Sequence, residues 1–164
     1  MRKLTSIKRI ENNKVQAVTE IDGHEVLLTE HEVTGRDLSE AKIYEKYPKI
    51  FRQKDLDKSQ TCMCWGLDIG LGWHWLVDKL CEFLQFDIDN NGRSQIEAVQ
   101  VKQKFGGLRF YVDKATSEQY EAICFAEFLS YFICEECGST KGVTQNKTGW
   151  IVTLCEECRG KEEK

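Results

Sequence analysis

Proline is almost absent from this 164-residue sequence, with Pro48 as the single example, and the 12 glycines are spread along the chain. This composition excludes a proline-rich linker and a glycine-rich low-complexity segment. The sequence also lacks an apolar run of about 18 residues, and its basic N-terminal stretch has no apolar segment like that of a signal peptide. We therefore expect a soluble, cytosolic protein without a membrane-spanning segment.

An excess of positive charge is absent as well. Lys and Arg number 23 against 27 Asp and Glu, which gives a formal net charge of −4. Domains that coat nucleic acid through their overall charge have pI values above about 9, so this class is excluded, although a local basic patch is not. The 41% hydrophobic and 30% charged residues are typical of a folded globular chain.

Cysteine, in contrast, is abundant, with eight residues in the chain. A disulfide framework is not expected without a secretory context. Two CxxC pairs, Cys134 with Cys137 and Cys155 with Cys158, are separated by 17 residues, which is the spacing of a four-cysteine zinc site. Two residues between thiolates let both sulfurs of a pair reach one ion, and two pairs complete a tetrahedron.

The segment between the two cysteine pairs has a strand–turn–strand pattern, so we predict that residues 134–164 form a zinc ribbon with two knuckles and a hairpin. Four thiolates leave no open position for a catalytic water, and the predicted cofactor is therefore one structural Zn²⁺. This segment carries five basic and six acidic residues. The balance favours a role in structure or in a protein contact, and a nucleic-acid-binding zinc ribbon is an alternative.

The fold class predicted for the whole chain is α+β, with small antiparallel sheets, packed helices and the C-terminal ribbon. Three alternating segments predict an antiparallel β-meander in residues 1–35, with hairpin turns at 12–13 and 22–23. Residues 36–133 are predicted to form the α+β body, and the ribbon continues directly from its last helix.

Helical periodicity and turn signals place the elements of this body. A helix is expected to end at Pro48, a second helix to cover residues 73–84, and residues 87–92 to form a loop. A last helix over 117–133 is expected to bury one apolar stripe. The predicted stripe consists of Tyr120, Ile123, Cys124, Phe128 and Phe132.

Residues 96–113 predict a hairpin with one basic face. A two-residue turn at Gly106 and Gly107 would pair Phe105 with Leu108 and would place Phe105 in the core. A basic face with an aromatic ring can hold phosphate and stack a base, whereas the alternative is a solvated face with lysines that protect a sheet edge. The predicted ligand-binding face carries Lys102, Lys104, Arg109 and Tyr111.

A glycine-rich turn precedes the second predicted helix. Backbone N–H groups at such a turn can bind an anion, so Gly70 and Gly72 are added to the candidate ligand-binding residues. The alternative is that these glycines allow close packing beneath the neighbouring tryptophans.

Two weaker candidate sites lie in the same stretch. Cys62, Cys64 and His74 would form a second metal site only with a fourth ligand, which the sequence does not supply. Asp68 and His74 form a candidate acid–base pair, which would make the protein an unrecognised hydrolase.

Four sequence segments together resemble small phage and prophage proteins with a C-terminal four-cysteine zinc ribbon. They are YPKIF (47–51), CMCWGLDIGLGWHWL (62–76), VKQKFGGLRFYV (101–112) and the two CxxC pairs around their hairpin. The resemblance covers residues 44–158. It carries no assigned activity and therefore no site residues, but it implies an accessory phage protein in the bacterial cytosol that takes over host machinery or counters host defence.

We therefore expect a non-enzymatic binding protein whose ligand bears phosphate. A nucleotide is favoured over long DNA because a net charge of −4 repels a polyanion, and a short nucleic acid stays open. The main alternative is an inhibitor that binds a host protein through the acidic ribbon and the tryptophans. The sequence also leaves open a homo-oligomer.

Overall fold

The computed structural model describes residues 6–10, 14–21, 24–32 and 38–162. The chain divides into two compact units, residues 1–34 and 35–164. Within the described residues, helices are combined with three small sheets, which confirms the α+β class. None of the helices in these ranges is long and apolar enough to cross a membrane.

The first unit is built from three antiparallel strands in sequential order: β1 (Ser6–Ile10), β2 (Lys14–Ile21) and β3 (His24–Glu32). The alternating sequence pattern predicts this order. The predicted turn residues 12–13 and 22–23 lie outside the described residues.

The second unit contains four α-helices among its described residues. Ser39 caps the first helix by accepting a hydrogen bond from the Lys42 backbone N–H, and that helix ends before Pro48, as predicted. Thr116 and Gln119 form a capping box at the start of the third. The helices are α1 (Glu40–Lys46), α2 (His74–Asn91), α3 (Ser117–Ser130) and α4 (Glu156–Glu162).

The loop predicted over residues 87–92 is wrong, because α2 continues through Asn91. Ile88 extends the buried stripe of the helix. Asp87 accepts a hydrogen bond from the Asn91 side chain at 2.7 Å and forms a salt bridge with Arg93, just beyond the helix, at 2.9 Å. The helix stops at Gly92, which has a φ of 63°.

A three-stranded sheet supports α2 and α3. Strand β4 (Leu67–Asp68) lies parallel to β5 (Ala98–Lys104), which is antiparallel to β6 (Gly107–Val112). Trp73 is fully buried where α2 begins, and it packs in one core with side chains from the helices and the sheet. A separate hairpin near the C-terminus consists of β7 (Val143–Gln145) and β8 (Thr153–Cys155).

The turn of the β5–β6 hairpin lies one residue earlier than predicted. Phe105 and Gly106 are its central residues, with φ values of 53° and 71°, and Lys104 pairs with Gly107. Positive φ at both central positions is what a tight hairpin turn requires. Gly107 is the first residue of β6. A Cβ at this position would collide with the ring of Tyr131, so the position requires glycine. The predicted core position of Phe105 is therefore wrong, since its side chain is exposed.

The buried stripe predicted for α3 is also largely wrong. Ile123 is buried, but the four other predicted stripe residues are exposed: Tyr120, Cys124, Phe128 and Phe132. The helix lies along the free edge of β6, where Ser130 accepts a hydrogen bond from the Leu108 backbone N–H and Glu127 accepts one from that of Phe110, both at 2.9 Å. The inward face of α3 consists of Gln119, Ile123, Ala126 and Ser130.

The glycine-rich turn packs against the first cysteine pair. The Gly72 backbone N–H donates a 2.7 Å hydrogen bond to the Glu135 carbonyl, and the Trp73 indole donates one of 2.8 Å to the Ile133 carbonyl. A Cβ on Gly72 would collide with the Cys134 carbonyl oxygen. The glycine therefore allows two backbone segments to touch.

We expect Gly72→Ala to lower the free energy of unfolding by at least about 2 kcal/mol, because a backbone segment has to move away from the added methyl group. Chemical denaturation measures this change. Gly160→Ala is the matched control, since a Cβ at that helical position meets nothing within 4 Å, and it should be neutral or stabilising by less than about 1 kcal/mol. Equal stability of the two variants would contradict the proposed packing role of Gly72.

Candidate functional site

The four cysteines of the two CxxC pairs form one cluster. The sulfur atoms of Cys134, Cys137, Cys155 and Cys158 all lie within 4.8 Å of one another, and the Cys137 and Cys155 sulfurs are 3.6 Å apart. Four sulfurs at about 2.3 Å from a central ion would be roughly 3.8 Å apart. All four thiols are free of disulfides. The convergence predicted from the spacing is therefore confirmed, and the cluster can hold one metal ion.

The first pair lies on a tight backbone turn. The Gly138 backbone N–H donates to the Cys134 carbonyl, and the Cys134 N–H donates to the Ser139 carbonyl, both at 2.8 Å. Gly138 has a φ of 74°, a conformation that a side chain would strain. This turn points both sulfurs of the pair to the same side.

The second pair departs from the predicted ribbon. Cys155 ends β8 and Cys158 lies in the first turn of α4, so the order is knuckle, hairpin and helix instead of a second knuckle. Glu156 and Glu157 occupy the first helical turn, where negative charge is favourable. This sequence therefore continues as a helix after the second pair.

The environment of the cluster suits a structural ion. Cys134, Cys155 and Cys158 are buried, and four thiolates would fill a tetrahedral coordination sphere. Burial, followed by the neighbouring sulfur atoms, raises the pKa of the Cys158 thiol well above its ordinary value. A bound cation would allow the four sulfurs to ionise together.

Across the part of the chain that the structure describes, this cluster is the only group of three or more converging ligand side chains. The suggested second metal site is not formed. Cys62 is exposed, the Cys64 thiol donates to the Thr61 carbonyl, and the buried His74 ring contacts the Leu38 carbonyl through Nδ1 at 2.7 Å. His74 is buried and its Nδ1 contacts the Leu38 carbonyl, whereas Asp68 is exposed, so the structure gives no support to the acid–base pair of a hydrolase.

The four residues of the predicted basic face do share one face of the hairpin. Lys102 pairs directly with Arg109 across the strands, and Tyr111 is two residues further along β6. The Lys102 ammonium lies 5.7 Å from the centre of the Tyr111 ring, and the Lys104 ammonium lies 5.6 Å from that of Phe105. Ammonium groups at these distances are attracted by the ring faces.

Arg109 already has partners within the protein. Its guanidinium donates to the Tyr131 hydroxyl at 2.9 Å and to the Leu108 carbonyl at 2.6 Å, and the Glu127 carboxylate lies at 4.0 Å. These contacts connect β6 to the end of α3. Arg109 is therefore a structural link in this arrangement, and Lys102 is the more available cation.

An open cleft of about 580 Å³ lies next to Lys102 and Tyr111. Its opposite wall is the loop of residues 58–62, which is held in place because the Thr61 hydroxyl donates to the Val99 carbonyl of β5 at 3.2 Å. We call it the basic cleft. Its lining residues are Lys58, Ser59, Gln60, Thr61, Cys62, Val99, Gln100, Lys102, Tyr111 and Val112.

The two candidate glycines lie elsewhere. The Gly72 N–H is used by the Glu135 carbonyl. Gly70 lines a smaller cleft of about 230 Å³ together with Asp68 and Glu135, whose carboxylates would repel an anion. The glycine-rich turn therefore serves packing, which was the alternative interpretation of its sequence.

We expect Arg109→Ala to lower the free energy of unfolding by about 1–3 kcal/mol, because it removes hydrogen bonds that a charged group donates to β6 and α3. Lys104 lies on the same face but is exposed. Lys104→Ala should therefore change the free energy of unfolding by less than about 0.5 kcal/mol. Urea denaturation measures both, and an Arg109→Ala variant as stable as Lys104→Ala would show that the link is unimportant.

Comparisons with known proteins identify no relative of this chain. No protein-family model matches the sequence, and no similar protein was found among the curated proteins or the solved structures. The resemblance to small phage and prophage proteins therefore stays a prediction.

Proposed function

We propose that the protein binds a nucleotide-sized, phosphate-bearing ligand in the basic cleft. The observation that carries this proposal is the placement of Lys102 and Tyr111, a cation and an aromatic ring, on one wall of a cleft that Lys58 completes. An ammonium group can hold a phosphate, and a tyrosine ring can stack on a base.

The charges in the cleft favour an anion. Within the described residues, neither Lys58 nor Lys102 forms an ion pair. Asp57 precedes the loop but does not line the cleft, and its carboxylate accepts hydrogen bonds from the Ser59 hydroxyl and backbone N–H. A phosphate would thus neutralise two cations that the protein leaves without a carboxylate partner.

The size of the cleft restricts the ligand. Small-molecule sites typically measure about 300–1,000 Å³, and 580 Å³ falls inside this range. Hydroxyl and amide groups of Ser59, Gln60 and Gln100 also line it and could bind a sugar. A mononucleotide or dinucleotide suits this space better than a duplex, whose many phosphates would meet an acidic protein.

The binding experiment is a titration with mono-, di- and cyclic nucleotides and with short single and double strands. Lys102→Ala should weaken nucleotide binding by roughly tenfold or more, because a charge-assisted hydrogen bond contributes about 1.5–3 kcal/mol. Lys104→Ala is the matched control, since this residue is on the same face but outside the cleft, and its effect should stay within about twofold. Rising salt should weaken binding only slightly for a mononucleotide.

Cys62 provides an independent reporter because its exposed thiol lines the cleft, whereas the exposed thiol of Cys124 lies on α3. A bound nucleotide should slow alkylation of Cys62 and leave that of Cys124 unchanged, as measured by mass spectrometry. The proposal fails if no nucleotide or strand binds at low salt, or if Lys102→Ala binds as tightly as the parent protein.

The proposal includes the identity of the metal as zinc. Four thiolates on two CxxC pairs match the preference of Zn²⁺ for sulfur ligands in a tetrahedron, and the buried cluster resembles a closed structural site. When bound, the ion would hold the knuckle, the hairpin and α4 together. The residues that would hold it are Cys134, Cys137, Cys155 and Cys158.

Metal analysis of the purified protein should find one zinc ion per chain. Cys134→Ser should lose it and disorder the segment from 134 to 158, because zinc binding contributes about 10–16 kcal/mol in zinc-finger peptides. Cys62→Ser should keep the full zinc content, since this thiol is not part of the cluster. A zinc content of zero or two in the parent protein would refute the assignment.

The biological setting in this proposal is the one that the resemblance implies. A phage accessory protein that sequesters a signalling nucleotide in the host cytosol would need only the cleft. An inhibitor of a host protein is the second candidate function, with the acidic ribbon and the exposed side chains of Trp65 and Trp150 as its contact surface.

A further inference from the structure

The outward surface of α3 and of the turn that follows it carries four large aromatic side chains, which we call the α3 aromatic face. Each is between 53% and 62% exposed. Two of them, Phe128 and Phe132, contact each other with ring centres 5.1 Å apart. The face consists of Tyr120, Phe125, Phe128 and Phe132.

The area of this face matches that of the largest apolar patches on protein monomers, which are often functional. With about 200 Å² per aromatic side chain, the four residues expose roughly 450 Å², which is already in the range of the largest apolar patch on a typical monomer. Helix α2, which packs against α3, adds Phe83 and Phe86, each more than half exposed. Two copies joined through the four α3 rings alone would bury roughly 900 Å² of aromatic surface, which is the size of a weak interface that dissociates on dilution.

We infer that the protein forms a homodimer in which the α3 aromatic faces of two copies pack against each other in antiparallel orientation. Two identical faces related by a two-fold axis are self-complementary, which makes this the simplest way to cover them. The inference is independent of the nucleotide proposal, because no residue of the face lines the basic cleft.

Charge favours a second copy over a basic partner protein. Helix α3 contains no Lys or Arg, and two of its three glutamates already have partners within the chain. Glu118 pairs with Arg93 at 3.4 Å, and Glu127 accepts from the Phe110 backbone N–H. Glu121 is left as the one carboxylate of α3 without such a partner in the described structure, which is little charge to attract a basic segment.

The positions of the charges also favour the antiparallel orientation. Glu118 and Glu121 lie near the start of α3, whereas Phe128 and Phe132 lie at and beyond its end. Antiparallel pairing places the acidic start of one helix beyond the aromatic end of the other, and the two acidic ends are then far apart. Parallel pairing would bring like charges together.

The oligomeric state of the full chain tests this inference. Light scattering coupled to size-exclusion chromatography should give twice the chain mass, with dissociation on dilution. Phe128→Glu should weaken dimerisation by at least about tenfold, because the interface would bury an unpaired charge. Trp150→Glu changes an even more exposed aromatic residue outside the face and should dimerise like the parent protein.

Cys124 gives a second measurement that does not depend on a substitution. Its exposed thiol lies on α3 between Tyr120 and Phe128, whereas the exposed thiol of Cys62 lies outside the face. Alkylation of Cys124 should slow as protein concentration rises, and alkylation of Cys62 should not. A parent protein that stays monomeric at its highest soluble concentration, or a Phe128→Glu variant that dimerises normally while folded by circular dichroism, would overturn the inference.

Discussion

The contact between the glycine-rich turn and the first cysteine pair is the constraint on which the second unit depends. Gly72 donates to the Glu135 carbonyl and Trp73 to the Ile133 carbonyl, on either side of Cys134. The cysteine cluster and the hydrophobic core are thus joined by one backbone hydrogen bond and one from the Trp73 indole. An ion bound by the four cysteines would therefore order not only the knuckle but also the turn from which α2 begins.

The same cysteine-rich segment also fixes the β5–β6 hairpin. The Thr153 hydroxyl donates to the Gly106 carbonyl, and the Gln145 side chain donates to the carbonyls of Phe105 and Gly106. These bonds hold the hairpin turn in a register that pairs Lys102 with Arg109. The position of Lys102 at the basic cleft is therefore a consequence of contacts far from it in sequence.

Short-range sequence patterns are sufficient to predict the cysteine cluster and the type of most helices and strands. The CxxC spacing identifies the ligands because two thiols of one turn need no distant contact to converge. The sequence predicts the hairpin turn one residue too late because Gly106 and Gly107 both tolerate a positive φ. Glycine is required at 107 for another reason, which is the contact with the Tyr131 ring, 24 residues away in sequence. The end of α2 was missed because the burial of Ile88 and the Asp87–Arg93 pair outweigh the turn propensity of residues 87–92.

Helix α3 buries polar residues and exposes aromatic ones, and this arrangement has a physical cause. A helix that covers a sheet face buries apolar residues, but α3 covers the free edge of β6, whose backbone N–H groups need acceptors. Ser130 and Glu127 supply them, so polar residues occupy positions that a periodicity argument reserves for the core. The aromatic residues on the opposite side contribute little to the fold of one chain. Their contiguity on the outward face is what an intermolecular contact would require.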